Sequence, residues 1–256
     1  MADDRGRMVY GYRISLPKRL LMLTAFIGEF IGTMMLLILG NGVVANVLLT
    51  KTKGHNSGLI VIAFGWAIAV FVGVFCAAGL SKAHLNPAVT IAFAAAGELD
   101  WSIVPVYVTA QFAGAMFGTA LVWIAYHQHF QQTTDGDLKL AVFCTAPAIR
   151  GPLYNLATES IGTFVLVFAV FRLAAPTSSL GALDALPVGL LVLGIGVSLG
   201  GPTGYAINPA RDLAPRIMHF ILPIGQKRDS DWRYSWIPVI GPIIGGLLAA
   251  LVYKLI

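Results

Sequence analysis

The sequence predicts an all-α membrane protein, with six transmembrane helices and two re-entrant half-helices arranged as an inverted repeat. Three observations carry that expectation. Of 256 residues, 57% are hydrophobic and only 11% charged, where an ordinary soluble domain has about 25% charged. The apolar residues gather into runs near the ~20 residues that a helix needs to cross a bilayer, and the runs lack a polar face. Two polar motifs, HLNPAVT (84–90) and AINPARD (206–212), interrupt that background at matching places. A soluble protein with an outsized core is excluded by the first two observations.

The net charge is +5, yet it does not point to nucleic acid. Five of the seventeen Lys and Arg residues lie in the first nineteen positions: Arg5, Arg7, Arg13, Lys18 and Arg19. A basic tail (1–19) ahead of a span is an orientation signal that keeps the N-terminus cytoplasmic. Roles as a plug or a lipid contact stay open beside that default. The run from Leu20 to Thr50 is about twice as long as the apolar region of a signal peptide and has no convincing cleavage site, so it reads as a retained helix.

Spans are expected near 20–49, 59–80, 101–126, 155–174, 185–203 and 234–254. All are helical, because a chain in lipid must satisfy its backbone internally. Six spans put both termini on one side. Positive charge supports this orientation only partly, since Arg211, Arg216, Lys227, Arg228 and Arg233 follow the fifth span and fall outside. Residues 86–97 and 208–220 are too short to cross and suit half-helices. The longest hydrophilic loops fall near 127–153 and 224–233. Cys76 and Cys144 read as free thiols, and His127 and His129 as solvated turn residues. No metal cluster, cofactor motif or nucleophile–base pair can be assembled, which argues against an enzyme.

The repeat is visible in the residues. Glu29, Gly32 and Thr33 of the first span recur as Glu159, Gly162 and Thr163 of the fourth, and Asn86 recurs as Asn208. Each half therefore reads acidic span, plain span, Asn-Pro-Ala half-helix, third span. Three spans is an odd number, so the second half enters the membrane upside down. Residues 20–256 read as one pore-forming domain, with repeats at about 20–126 and 155–254. The pairs Gly28/Gly32, Gly114/Gly118 and Gly241/Gly245 fit close helix packing.

Asparagine before proline starts a helix, with Asn at the cap and Pro at the first helical position. The side-chain oxygen then accepts a first-turn N–H, and the NH2 group points away as a donor. Two inverted half-helices (Asn86-Pro87-Ala88 and Asn208-Pro209-Ala210) bring both asparagines and both positive helix ends together near the midplane. Such a site orients a neutral permeant and repels cations.

These motifs, in a six-span arrangement, resemble the aquaporin family of major intrinsic proteins over roughly residues 20–254. The resemblance implies a right-handed bundle with one pore per subunit and four subunits per assembly. The family's narrow point falls here on Trp66, Gly196, Tyr205 and Arg211. Strictly water-selective members usually have a smaller ring at the Trp66 position and histidine at the Gly196 position. The pattern resembles the glycerol facilitators instead, and Asp212 matches them as well. A polyol has an apolar and a hydroxylated edge, which Trp66 with Tyr205 and Arg211 would complement, while Gly196 would leave a wider slot. A facilitator of bacterial type would carry phenylalanine where Tyr205 stands. Its hydroxyl could narrow the slot or add a polar contact, so relative water, glycerol and urea rates stay open. On sequence alone, Trp66 could also be an interfacial residue and Tyr205 a packing one.

By the same resemblance, the carbonyls of Lys82, Ala83, His84, Leu85, Tyr205, Ala206 and Ile207 face the pore. Glu29 and Glu159 then support these loops by accepting N–H groups, with a proton relay as the rival role. The function expected is a passive channel for glycerol, other small neutral solutes and water, built without cofactor or metal. Its setting is a homotetramer in the plasma (cell inner) membrane, with the lipid bilayer as partner and both termini cytoplasmic. The alternatives are a mainly water-selective channel and, from another class, a coupled secondary transporter.

Overall fold

A computed structural model describes residues 8–9, 12–13, 18–173 and 181–256. Arg5 and Arg7 of the basic tail lie outside the described residues. Of the tail's first seventeen residues, only an antiparallel pairing of β1 (Met8–Val9) with β2 (Tyr12–Arg13) is described.

Among the described residues, six stretches are long and apolar enough to cross a membrane. They are α1 (Lys18–Leu48), α2 (Leu59–Ser81), a 3-10 turn running into α4 (Val104–Ala125), α7 (Pro152–Leu173), another such turn running into α8 (Leu186–Thr203), and α10 (Ile237–Leu255). Between them sit two half-helices, α3 (Pro87–Ala96) and α9 (Pro209–Ile221). The ten residues of α3 rise about 15 Å, half of the ~30 Å hydrocarbon core. The loop expected over 127–153 contains two further short helices, α5 (His127–Gln132) and α6 (Gly136–Phe143). Asp135 caps α6 by accepting the Asp137 and Leu138 N–H groups, and Phe130, Leu140 and Phe143 are buried. Polar flanking residues hid this small apolar core from a reading by composition.

The spans are apolar on both faces because only one face meets protein. On α1 the buried face holds Gly28, Gly32, Leu36, Gly40 and Val44 at four-residue spacing, while Leu23, Ile27 and Leu39 are exposed, as suits a helix between protein and hydrocarbon. The three glycine pairs lie at helix crossings. A Cβ at Gly114 would come within 2.3 Å of the Phe30 carbonyl oxygen, and one at Gly245 within 2.1 Å of that of Ser160. Gly28 and Gly32 press on Ser81 and Ala77 of α2, and Gly241 on Glu159.

Helix α1 packs on α2 and α4, and α7 packs on α8 and α10. The repeats interlock through their half-helices, since α3 packs on α10 and α9 on α4. Each half-helix therefore leans on the third span of the other repeat, and this brings Asn86 to Asn208.

Candidate functional site

The half-helices meet N-terminus to N-terminus. Asn86 Oδ1 accepts the Ala88 N–H at 2.9 Å, and Asn208 Oδ1 accepts those of Ala210 and Arg211 at 3.0 and 3.2 Å. Pro87 and Pro209 occupy the first helical position, where a missing N–H costs nothing. The amide NH2 groups, however, are not simply free donors. Asn86 Nδ2 donates to the Ile207 carbonyl and Asn208 Nδ2 to the Leu85 carbonyl, both at 2.8 Å. One N–H of each amide is committed to the opposite repeat and one is left over. The Leu85 and Ile207 carbonyls each accept one bond of this latch and keep a second acceptor position, and both residues line the cavity.

The loops that precede the caps share one backbone. Positive φ occurs at Lys82, Ala83 and Leu85 (67°, 55° and 51°) and at Gly204, Tyr205 and Ile207 (79°, 39° and 44°), the same three offsets from each asparagine. For non-glycine residues this left-handed backbone costs roughly 1–3 kcal/mol each. Two buried carboxylates hold it. Glu29 accepts the His84 and Leu85 N–H groups at 2.9 and 2.7 Å, and Glu159 accepts those of Ala206 and Ile207 at 3.0 and 2.8 Å. Glu29 also accepts from Ser81 Oγ and Gln111 Nε2, at 2.6 and 2.7 Å.

Lys82, Ala83, His84, Leu85, Tyr205, Ala206, Ile207, Asn86 and Asn208 line one cavity of about 520 Å³. Trp66 and Arg211 line it too, and Glu98 and Asp184 at the ends of neighbouring helices border it. Two of these lining residues carry a buried polar atom, Tyr205 Oη and Arg211 Nη1, with no hydrogen-bond partner among the described residues. The His84 ring is wedged between Phe93 and Tyr107, with Nδ1 3.2 Å from Thr90 Oγ1.

Two details differ from the slot that sequence suggests. Arg211 does not stand across from Trp66. Its guanidinium carbon lies 4.0 Å from the Trp66 ring centroid, a cation–π contact worth about 0.5–2 kcal/mol. Nor does Gly196 leave open space. A Cβ there would lie 3.0 Å from Tyr205 Cζ and 3.1 Å from Oη, so the tyrosine ring fills the volume that glycine frees.

Asp212 and Arg216 form a fully buried ion pair at 2.8 Å. Asp212 Oδ2 accepts from both the N–H and the hydroxyl of Thr145 (2.7 and 2.6 Å). The Arg216 guanidinium donates to the carbonyls of Thr145, Ser230 and Asp231. The arginine that charge counting placed outside thus ties the segments before α7 and before α10 to α9. Lys227 completes that end by donating to the carbonyls of His219, Phe220 and Leu222 at 2.7–2.8 Å, the last of α9 and the residue after it. On the same face Arg150 pairs with Asp231 at 2.5 Å. That bond raises the guanidinium's proton affinity above its ordinary value.

Sequence reading missed Gln111, Ser81, Thr145 and Lys227. A lone glutamine inside an apolar span was a signal, since a buried amide there needs partners. The other three are ordinary loop and helix-end residues whose partners come from distant segments.

Fold and site together define a class: a multi-pass membrane protein whose inverted repeats dip two half-helices into one lined cavity. The chain belongs to the major intrinsic protein family, whose sequence profile (Major intrinsic protein) matches residues 17–253. It is 56% identical over 232 residues to a probable glycerol uptake facilitator protein of Thermotoga maritima, covering 91% of this chain and 99% of that one. A glycerol uptake facilitator protein of Streptococcus pneumoniae is 54% identical, with 91% and 100% covered. Among solved structures, the X-ray structure of the aquaglyceroporin from Plasmodium falciparum superposes with a TM-score of 0.76 at 33% identity, covering 91% of this chain and 96% of that one.

Proposed function

We propose that this protein is a passive transmembrane channel for glycerol and other small neutral solutes, one that also conducts water and excludes protons and ions. The observation that carries this reading is the pairing of chemistries in one cavity. Arg211 and Tyr205, each with a buried polar atom (Nη1 and Oη) that lacks a partner among the described residues, line the cavity together with Trp66, whose ring face Arg211 covers. A permeant with hydroxyls on one edge and carbon on the other complements such a wall. The glycerol uptake facilitators among its relatives support the same solute class.

In this reading Trp66, Gly196, Tyr205 and Arg211 form the selectivity filter. The asparagine latch and the carbonyls of 82–85 and 205–207 replace the permeant's hydration shell along the way. Cations are repelled because two helix N-termini, each equivalent to roughly +0.5 charge, meet at the latch near Arg211. Glu29 and Glu159 support the loops, since their oxygens are taken up as acceptors. Asp212 marks the glycerol branch by tethering Thr145 over α9. The chain is not an enzyme and needs no cofactor. Residues 20–256 work as one channel domain, assembled as a homotetramer in the plasma membrane with both termini cytoplasmic.

Stopped-flow light scattering on proteoliposomes tests this. Glycerol and water flux both well above protein-free vesicles, without saturation, is the expected result. Fast water with no glycerol flux would make the protein mainly water-selective. Flux that stops when ion gradients collapse would make it a coupled carrier.

A further inference from the structure

The two aromatic residues of the filter each lie against a bare helix backbone. A Cβ placed on Gly40 of α1 would come within 2.2 Å of Trp66 Cζ3 and 2.4 Å of both Cε3 and Cη2. Three adjacent ring carbons at nearly one distance put that atom over the face of the indole rather than beyond its edge. The Arg211 guanidinium, 4.0 Å from the ring centroid, must therefore cover the opposite face. Trp66 is clasped between a glycine on one side and the cavity's arginine on the other. Tyr205 is also seated on glycine, but through its ring edge. A Cβ on Gly200 of α8 would lie 2.5 Å from its Cδ1, and one on Gly196, a turn earlier, 3.0 Å from its Cζ.

We propose that Gly40 and Gly200 are specificity-determining residues, because they set how far the two rings stand back from the permeation path. The inference rests on the filter assignment above. Carbon atoms in contact sit about 3.5–4.0 Å apart, so a methyl group at Gly40 forces the indole to retreat by about 1.3 Å or more. Parting α1 from α2 to absorb this would break the close packing at Gly32, two turns away, where a Cβ would come within 3.0 Å of the Gly73 carbonyl oxygen. The only direction left is toward Arg211 and the cavity. A methyl at Gly200 drives the phenol ring inward in the same way. Neither glycine touches a permeant; each acts through its ring.

The test is stopped-flow flux of water, urea and glycerol through the full chain in proteoliposomes, for Gly40→Ala, Gly200→Ala and two controls. The controls are Gly42→Ala and Gly201→Ala, where an added Cβ meets nothing within 4 Å. Expected is a glycerol flux reduced about tenfold or more for each seat variant, the scale of one pocket contact, with a smaller loss for water and control fluxes like wild type. Combining Gly40→Ala with Trp66→Phe removes the outer ring carbons that the methyl strikes, and glycerol flux should return. Seat variants with wild-type glycerol-to-water ratios overturn the proposal. So does an equal loss for all solutes that Trp66→Phe fails to restore. If Trp66→Phe by itself leaves the solute ratios unchanged, the filter assignment fails; if it shifts them while Gly40→Ala does not, the seat proposal alone fails.

Discussion

Asn208 and Leu85, 123 positions apart, are joined by a hydrogen bond from the asparagine Nδ2 to the leucine carbonyl at 2.8 Å, and Asn86 returns the same bond to Ile207. Each asparagine thus does two jobs at once. Its oxygen caps its own half-helix, and its nitrogen grips the loop that leads into the other one. The halves of the chain are locked where their helix dipoles point at each other, a junction that like charges would otherwise push apart.

Removing either amide should weaken both loops. Asn86→Ala and Asn208→Ala each lose a helix cap, worth about 0.5–2 kcal/mol, and a cross-repeat bond. A double-mutant cycle followed by thermal unfolding in detergent should show coupling of about 0.5–3 kcal/mol. Strict additivity would mean that the two cross-repeat bonds act independently of each other.

The buried pair at Asp212 and Arg216 should respond unevenly to substitution. Asp212→Leu leaves a guanidinium at 0% exposure without its counter-ion, a change that costs about 3–5 kcal/mol. Adding Arg216→Met should restore much of that loss, because desolvation falls away with the charge. Melting temperatures of the two singles and the double decide it. A double variant as unstable as the single would argue that the carbonyl bonds, not the charges, matter most.

Glu29→Gln should be more damaging than Glu159→Gln. Each Glu29 oxygen accepts two donors, whereas each Glu159 oxygen accepts one backbone N–H. Whichever way the new amide turns, its NH2 confronts one backbone N–H at either position, at about 1–3 kcal/mol for a donor left unpaired, and at position 29 it also forces the Ser81 hydroxyl or the Gln111 amide to turn round and give up its present bond. Thermal stability, measured by loss of monodisperse protein on heating, should rank the variants in that order.

Gly196→His should block glycerol and also impede water, because the imidazole enters space that the Tyr205 ring already fills. Pairing it with Tyr205→Thr frees that space, and water flux should recover while glycerol flux stays low. Stopped-flow flux through both variants is the check. Fast water through Gly196→His by itself would show that Tyr205 moves aside more easily than its packing against Gly200 implies.

The spans, the half-helices and the inverted repeat were legible in the chain because their signals are local. Hydrophobic length, an Asn-Pro start, and Glu29 and Glu159 opening each half follow from rules that act within a few turns of helix. Even the asparagine cap could be read from two residues. What escaped were particular contacts between segments far apart in sequence: the return bond of each asparagine to the other loop, the Thr145 ligand of Asp212 and the lysine at the end of α9; α5 and α6 escaped because their loop looked merely hydrophilic.

Gly196 marks the border most clearly. By itself a glycine says only that a side chain is missing. Whether the missing volume becomes open channel or a seat for a neighbouring ring depends on where Tyr205 lies, and its loop is held by Glu159 from a different span. The sequence by itself determined that this chain crosses a membrane as two inverted halves and which residues meet at the crossing. Only the tertiary structure decided which of their polar atoms are already paired and which are left without a protein partner, because hydrogen bonds and packing volume are settled by three-dimensional neighbours, and those come from both repeats.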